Sequence, residues 1–192
     1  MCIRDRSIRC FDLIHLLGVT ACLGISLLND EGVASACEGE VESALAMMVL
    51  RELTHQPSFM ANLASVDTDE NTITLAHCTV ATRLCRRVTA RSHYESGLSV
   101  ALRGELPLQR VTVCRLGRGL DQMLILTGTI VENPDGPEMC RTQVKVRVDG
   151  DASTLLSLGL GNHHIRTLGD HRQALMEFCR LRGIQPLTIG GD

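Results

Sequence analysis

Between residues 111 and 148, three segments alternate apolar and polar side chains with a period of two, and this alternation constrains the fold most. The segments cover residues 111–116, 123–131 and 142–148, and clusters rich in Gly or Pro at 117–119 and 134–137 separate them. Short alternating runs bounded by turn residues are typical of antiparallel strands. We therefore predict an antiparallel β-rich, barrel-like domain over residues 81–192. A terminal helix follows it, with Asp170 as its cap and Gly183 as its end.

The preceding part of the chain, residues 7–80, has a mixed pattern. Residues 21–28 are continuously small or apolar and predict a buried strand, and a second strand is expected at 33–37. A helix over 41–53 ends before Pro57, and a hairpin of strands at 58–67 and 72–78 follows. This succession predicts an α/β layer segment. The fold class is thus α/β plus β, with a domain boundary near residue 80.

The first six residues, Met-Cys-Ile-Arg-Asp-Arg, lack the charged and apolar regions of a signal peptide. They resemble a translated sequencing adapter, so residues 1–6 are interpreted as a non-native leader. On this reading the native sequence begins near Ser7, and the chain is a C-terminal fragment of a longer protein.

Composition excludes several classes of partner. The net charge is −3, there is no Trp and there is one Tyr, which argues against nucleic-acid binding by charge or by base stacking. No apolar run is long enough to span a bilayer, so a membrane partner is not expected. The nine cysteines are odd in number, form no CxxC pair and include members of apolar runs, which indicates reduced thiols and a cytoplasmic protein.

An acidic cluster stands where the strand at 33–37 gives way to the helix at 41–53. Glu38, Glu40 and Glu42 fall within five residues, and the helix that follows is apolar on nearly every side. Carboxylates in a first helical turn are stabilised by the helix dipole, and an all-round apolar helix is usually buried. The cluster is therefore either a simple cap of a core helix or a set of functional carboxylates at its mouth.

Histidines and carboxylates elsewhere in the chain could complete a metal site. A divalent ion such as Mn²⁺ favours carboxylate oxygens together with one or two imidazoles. The chain offers that ligand set at scattered positions, and their spacing alone does not bring them together: Glu40 or Glu38, Asp12, His163 and His77.

Seven short motifs resemble the C-terminal part of the L-fucose isomerase and L-arabinose isomerase superfamily, in the family's order from about residue 8 to the end. They are LLNDEG at 27–32, ACEGE at 36–40, LAHC at 75–78, RSHYESG at 91–97, CRTQ at 140–143, GNHH at 161–164 and GDH at 169–171.

The resemblance implies an aldose–ketose isomerase that moves a proton between C1 and C2 of a sugar through an enediol. It also implies Mn²⁺ or another divalent cation as cofactor, and a homo-oligomer, trimeric or hexameric, in the full-length protein. The fragment alone is expected to be inactive. A non-catalytic sugar-binding or regulatory module on the same fold is the alternative, and a different sugar-processing enzyme on this scaffold also stays open.

The resemblance further implies roles for individual residues. Glu40 is the second metal carboxylate, although fucose isomerases usually have Asp there, so Glu38 remains its rival; Asp12 is the first. The implied assignment is catalytic for Glu40 and Asp12, metal-binding for Glu40, Asp12, His163 and His77, and substrate-binding for Glu38, His93, Glu95 and His164.

Overall fold

The computed structural model describes residues 5–158 and 160–190. In that part of the chain the helices are α1 (Cys10–Leu17), α2 (Cys22–Asp30), α3 (Val41–Thr54), α4 (Leu155–Leu158) and α5 (Arg172–Arg182). The strands are β1 (Arg6–Ser7), β2 (Ser35–Ala36), β3 (Phe59–Asp67), β4 (Thr72–His77), β5 (Arg87–Arg91), β6 (Ala101–Glu105), β7 (Arg110–Leu116), β8 (Gln122–Glu132), β9 (Thr142–Val148), β10 (His163–Leu168) and β11 (Gln185–Ile189).

Six strands close into an antiparallel barrel in the order β8-β7-β10-β3-β4-β9, and β9 pairs back onto β8. Closure leaves no free edge within this ring, and β11 adds a parallel strand outside it on β8. The strands β5 and β6 form a separate hairpin. The predicted β-rich, barrel-like fold with a terminal helix is confirmed.

Alternation along the strands explains the closure. Ile73 and Leu75 of β4 lie opposite Val146 and Val144 of β9, and all four side chains are buried in the barrel interior. Alternate residues of β3, β4, β7, β8 and β9 thus contribute to one apolar core. The period of two seen in the sequence is the signature of this interior.

Helix α3 packs outside the barrel on β7 and β10 and forms a second apolar core with them. Met47 and Leu50 of the helix lie fully buried in the same cluster as Cys114 and Ile165 of these strands. The helix is therefore apolar on most of its surface, as the sequence indicates. It is also the rigid support for the residues at its N-terminus.

The strand predicted at residues 21–28 is wrong, because this segment is helix α2. Its buried residues are Cys22, Ile25, Ser26 and Asn29, which repeat at helical spacing, whereas Leu23 and Leu27 face solvent. A short, continuously apolar run has no polar positions to reveal its period, so helix and strand cannot be told apart in it.

The sheet does not divide at the boundary proposed near residue 80. The hairpin β3–β4 pairs with β10 on one side and β9 on the other, so the barrel begins at Phe59. The division into domains stays a prediction.

Residues 1–4 of the proposed leader lie outside the described residues. Its last residue, Arg6, opens β1, which pairs in parallel with Ser35–Ala36, and Asp5 accepts a 2.6 Å hydrogen bond from Arg51.

None of the eight cysteines in the described part of the chain forms a disulfide. No helix there is long and apolar enough to cross a membrane.

Candidate active site

Three residues distant in sequence meet at one end of the barrel. Glu38 lies in the turn before α3, His77 ends β4 and His163 begins β10. Oε1 of Glu38 lies 3.6 Å from Nε2 of His77 and 3.5 Å from Nε2 of His163. One ligand atom from each residue fits within 4.8 Å of the others, which is the spacing of a metal-binding group.

A left-handed turn directs Glu38 at the histidines. Glu38 has φ of 59° and Gly39 has φ of 71°, so two successive residues adopt positive φ between β2 and α3. Glycine adopts this conformation freely, but a side chain such as that of Glu38 rarely does. Strained backbone of this kind is concentrated at functional sites. The turn is what separates the direction of Glu38 from that of Glu40.

Both histidines present an unsatisfied nitrogen to this point. Nε2 of His77 and Nε2 of His163 are buried and have no hydrogen-bond partner among the described residues. The opposite nitrogens are anchored: Nδ1 of His77 lies 2.8 Å from Oγ1 of Thr79, and Nδ1 of His163 lies 3.0 Å from Oε2 of Glu40. Metal-binding histidines are held in this manner, with the outer nitrogen fixed by a protein oxygen.

Glu40 is saturated by protein contacts rather than open to the histidine Nε2 atoms. Nη1 of Arg115 lies 2.7 Å from Oε1 of Glu40, and the hydroxyl of Ser43 donates to the other carboxylate oxygen. Arg115 also donates to the backbone oxygen of His163 at 2.8 Å. Glu40 contacts the ring of His163 and Arg115 contacts its backbone, so together they fix the position of His163.

Sequence reasoning missed Arg115. Its signal is its position in β7, where it follows Val111 and Val113 on the same face of an alternating strand. A charged residue in an interior-facing register is unusual enough to mark a functional position.

The surroundings of the cluster keep its two glutamates in the ionised form. Contacts with His163 and His77 hold the pKa of Glu38 well below its usual range. Burial tends to raise the pKa of Glu40, but His163, Ser43 and Arg115 bring it down to about 2. Both carboxylates are therefore ionised near neutral pH.

The histidines respond to the same surroundings in opposite ways. Burial opposes the charged form of His163, yet Glu38 and Glu40 raise its pKa to about 9. Burial lowers the pKa of His77. Without another cation, a proton on His163 compensates the paired carboxylates.

The predicted substrate-binding histidine His93 is near enough to this cluster for the charge of Glu38 to act on it. Nε2 of His93 is 3.5 Å from Oε2 of Glu95, in the segment that joins β5 to β6. Burial lowers the pKa of His93, and the charges of Glu95, Arg141 and Glu38 also act on it. His93 and Glu95 are not among the described residues that line the cavity at Glu38, and a role for them in substrate binding stays a prediction.

His164 occupies a different environment from its neighbour His163. Its Nδ1 lies 3.0 Å from the backbone oxygen of Asn162, and burial lowers its pKa to about 4. Successive residues of a strand point to opposite faces, so the two histidines diverge. A role for His164 in substrate binding stays a prediction.

Asp12 is not brought to the cluster of Glu38, His77 and His163. Its side chain is 46% exposed on α1 and forms a 2.9 Å ion pair with Arg9. A metal-binding or catalytic role for Asp12 remains a prediction, and this geometry does not support it.

A cavity of about 520 Å³ opens over the cluster. This volume lies within the range of pockets that hold small organic ligands. Its walls are predominantly polar and combine carboxylates, guanidinium groups and an imidazole: Glu38, Gly39, Glu40, Glu42, Arg115, Arg118, Leu160, Gly161 and His163.

Comparison with known proteins gives relatives of one name. No family model matches the chain. A protein named sulfoquinovose isomerase from Clostridium sp. (strain MSTE9) is 33% identical over 183 residues, covering 88% of this chain and 40% of the relative.

More distant relatives carry the same name. The sulfoquinovose isomerases of Priestia megaterium (strain ATCC 12872 / QMB1551) and Alkalicoccus urumqiensis are 24% and 25% identical over 193 residues. These matches cover 93% and 95% of this chain, and 42% and 44% of the relatives. The chain thus spans about two fifths of the length of the curated relatives it matches, and over most of its own length it is similar to sugar isomerases.

Proposed function

We propose that this chain is part of a metal-dependent aldose–ketose isomerase of the L-fucose and L-arabinose isomerase type, acting on sulfoquinovose or a similar aldose. One observation carries the proposal. Glu38 and two unsatisfied imidazole nitrogens, of His77 and His163, converge on one point, and Glu38 and His163 also line the cavity. The names of the relatives support the reaction and the substrate class.

The residues present fit a divalent cation such as Mn²⁺. The donor set is one carboxylate and two imidazoles, which this class of ion accepts. The buried Nε2 atoms of His77 and His163 need a partner, since a buried polar atom without one is costly. When bound, the cation polarises the sugar carbonyl and stabilises the negative charge that develops on its oxygen.

The chain's own carboxylates supply the proton transfer. Glu38 is ionised, and its side chain is 31% exposed at the cavity, so it can accept the proton from C2 of the aldose. It returns that proton to C1 while the O2 hydroxyl proton passes to O1, and the product is the isomeric ketose. We assign Glu38 to the metal and the proton transfer, and Glu40 to orienting His163. This assignment favours Glu38 over Glu40 as the metal ligand.

Metal titration of the chain tests the site. Mn²⁺ should raise the melting temperature of the wild-type chain, and EDTA should reverse the effect. Glu38→Gln and His163→Asn should lose the response, whereas Glu52→Gln on the exposed far end of α3 and His15→Asn on α1 should retain it. A wild-type chain that Mn²⁺ does not stabilise would refute the proposed centre.

Turnover requires a separate assay. Conversion of sulfoquinovose to its ketose should be measured by NMR in the longest protein that carries this sequence. Mn²⁺ binding without conversion there would favour the sugar-binding module over the enzyme.

A further inference from the structure

The cavity contains two arginines in opposite situations. The side chain of Arg115 is 5% exposed and is occupied by Glu40 and by the backbone oxygens of His163 and Leu160. The side chain of Arg118 is 95% exposed, and its contact with Oε1 of Glu42 is a loose 3.8 Å. Among the described residues that line the cavity, Arg118 is thus the arginine whose N–H donors are available to a ligand.

The backbone at Arg118 is held by hydrogen bonds, although its side chain is almost fully exposed. Arg118 lies in the turn from β7 to β8, where Gly117 donates to the backbone oxygen of Gln122 at 2.9 Å. Leu120 donates to the oxygen of Gly117 at 2.9 Å and adopts φ of 60°. The guanidinium therefore extends from a fixed base at the rim of the cavity.

The charges of the cavity limit which sugars it can accept. Glu38, Glu40 and Glu42 all line it, and three carboxylates repel an anionic ligand. The guanidinium of Arg115 neutralises the charge of Glu40 and is buried, so it is not open to a ligand. An anionic substituent can be accommodated only where a cation faces the open side, and Arg118 provides one.

We infer that Arg118 binds the anionic substituent of the substrate, the sulfonate of sulfoquinovose, and makes the site select sulfonated over neutral aldoses. The inference rests on the proposed function, which places the sugar's reacting carbons at Glu38. A guanidinium presents paired donors that match the oxygens of such a group. Glu42 competes for the same guanidinium, so it weakens the selection.

The experiment compares two sugars that differ only in the sulfonate. Binding of sulfoquinovose and of quinovose to the Mn²⁺-loaded chain is measured by calorimetry, and the ratio of the two affinities is the readout. Arg118→Gln should lower the preference for sulfoquinovose about tenfold. This factor corresponds to the low end of the range for hydrogen bonds to charged groups, which we expect because Arg118 is exposed. Arg118→Lys should keep part of it, and Glu42→Gln should increase it.

Two controls complete the design. Arg147→Gln removes an exposed arginine near the end of β9 opposite to Thr142, the residue that pairs with His77, and should leave the ratio unchanged. Added salt should lower the wild-type preference, since an exposed ion pair is screened.

The outcomes separate the two proposals. A wild-type chain that binds neither Mn²⁺ nor either sugar would defeat the proposed function. Binding of both sugars with a ratio that Arg118→Gln does not change would overturn only the role of Arg118.

Discussion

Nδ1 of His163 lies 3.0 Å from Oε2 of Glu40, and this pair turns the opposite nitrogen of the ring toward Glu38. Two glutamates separated by a single glycine thus act on one imidazole from different sides. Both glutamates line the cavity, but Glu40 is held by Arg115 and Ser43, whereas Glu38 lies near the Nε2 atoms of His77 and His163. This relationship supports our proposal that Glu40 orients His163 and that Glu38 carries the chemistry.

Substitution of the two glutamates should affect metal affinity unequally. Glu40→Gln removes the charge that orients His163, and loss of such a supporting contact weakens metal binding about 10–100-fold. Glu38→Gln removes a proposed ligand and should cost more. Titration with Mn²⁺ followed by calorimetry measures both. A larger loss for Glu40→Gln would return the ligand role to Glu40.

The ion pairs of Arg110 should make the free energy of unfolding of the barrel decrease at acidic pH. It lies 2.7 Å from Asp149 and 2.9 Å from Asp170, and these contacts lower the pKa of both carboxyl groups, with Arg172 contributing. A carboxyl group whose pKa is lower in the folded than in the unfolded protein adds to the free energy of unfolding at pH values above its unfolded pKa of about 4. This contribution is lost as the pH falls from that value through the folded pKa.

The effect of Arg110 should be modest, because its partners are 34% and 49% exposed. We expect Arg110→Met to lose up to about 1 kcal/mol at pH 7 and less at pH 3, measured by urea unfolding. Arg147→Met is the matched exposed control. An equal loss at both pH values would show that Arg110 acts through packing and not through charge.

Two glycines should respond to alanine in opposite directions. Gly24 is exposed within α2, and a Cβ there meets nothing within 4 Å, so Gly24→Ala should stabilise by about 0.5–1 kcal/mol. At Gly128 of β8 a Cβ would fall on the backbone oxygen of Arg147 and 2.8 Å from Val146. Gly128→Ala should destabilise by about 1–3 kcal/mol.

Thermal and urea unfolding of both glycine variants measure these changes. A destabilised Gly24→Ala variant would contradict the helical assignment of this segment, where the sequence pattern had favoured a strand.

Arg166 is a buried cation without a hydrogen-bonded partner. It is fully buried, and none of its three guanidinium nitrogens has a hydrogen-bond partner among the described residues. Its guanidinium carbon lies 4.9 Å from the ring centroid of Phe59, which offsets part of the desolvation cost. Arg166→Met should therefore be neutral or stabilise by up to about 2 kcal/mol, since apolar replacement of buried charges is often favourable.

Arg115→Met is the matched control for Arg166. Arg115 is also buried but is paired with Glu40, so its loss should destabilise by about 3 kcal/mol. Urea unfolding compares the two. Equal destabilisation of both variants would show that Arg166 has a compensating partner in solution.

The sequence allowed much of the fold to be predicted because local patterns decide it. The alternation in 111–116, 123–131 and 142–148 corresponds to β7, β8 and β9, and the apolar run after the acidic cluster corresponds to α3. Gly183 ends α5 in a left-handed conformation, as predicted. Helix α2 was missed because its apolar run hides its period.

For the candidate site, the sequence by itself determined the residue types: glutamates before a buried helix, and histidines at strand ends. The tertiary structure decided which of them meet, because β4 and β10 pair with β3 on opposite sides, which brings the end of β4 and the start of β10 to the same level of the sheet. It also decided that Glu38 and Glu40 have different contacts: Glu38 lies near the Nε2 atoms of His77 and His163, whereas Glu40 pairs with Arg115 and with Nδ1 of His163. Their directions depend on positive φ at Glu38 and Gly39, and on Arg115 arriving from β7, which no local pattern encodes.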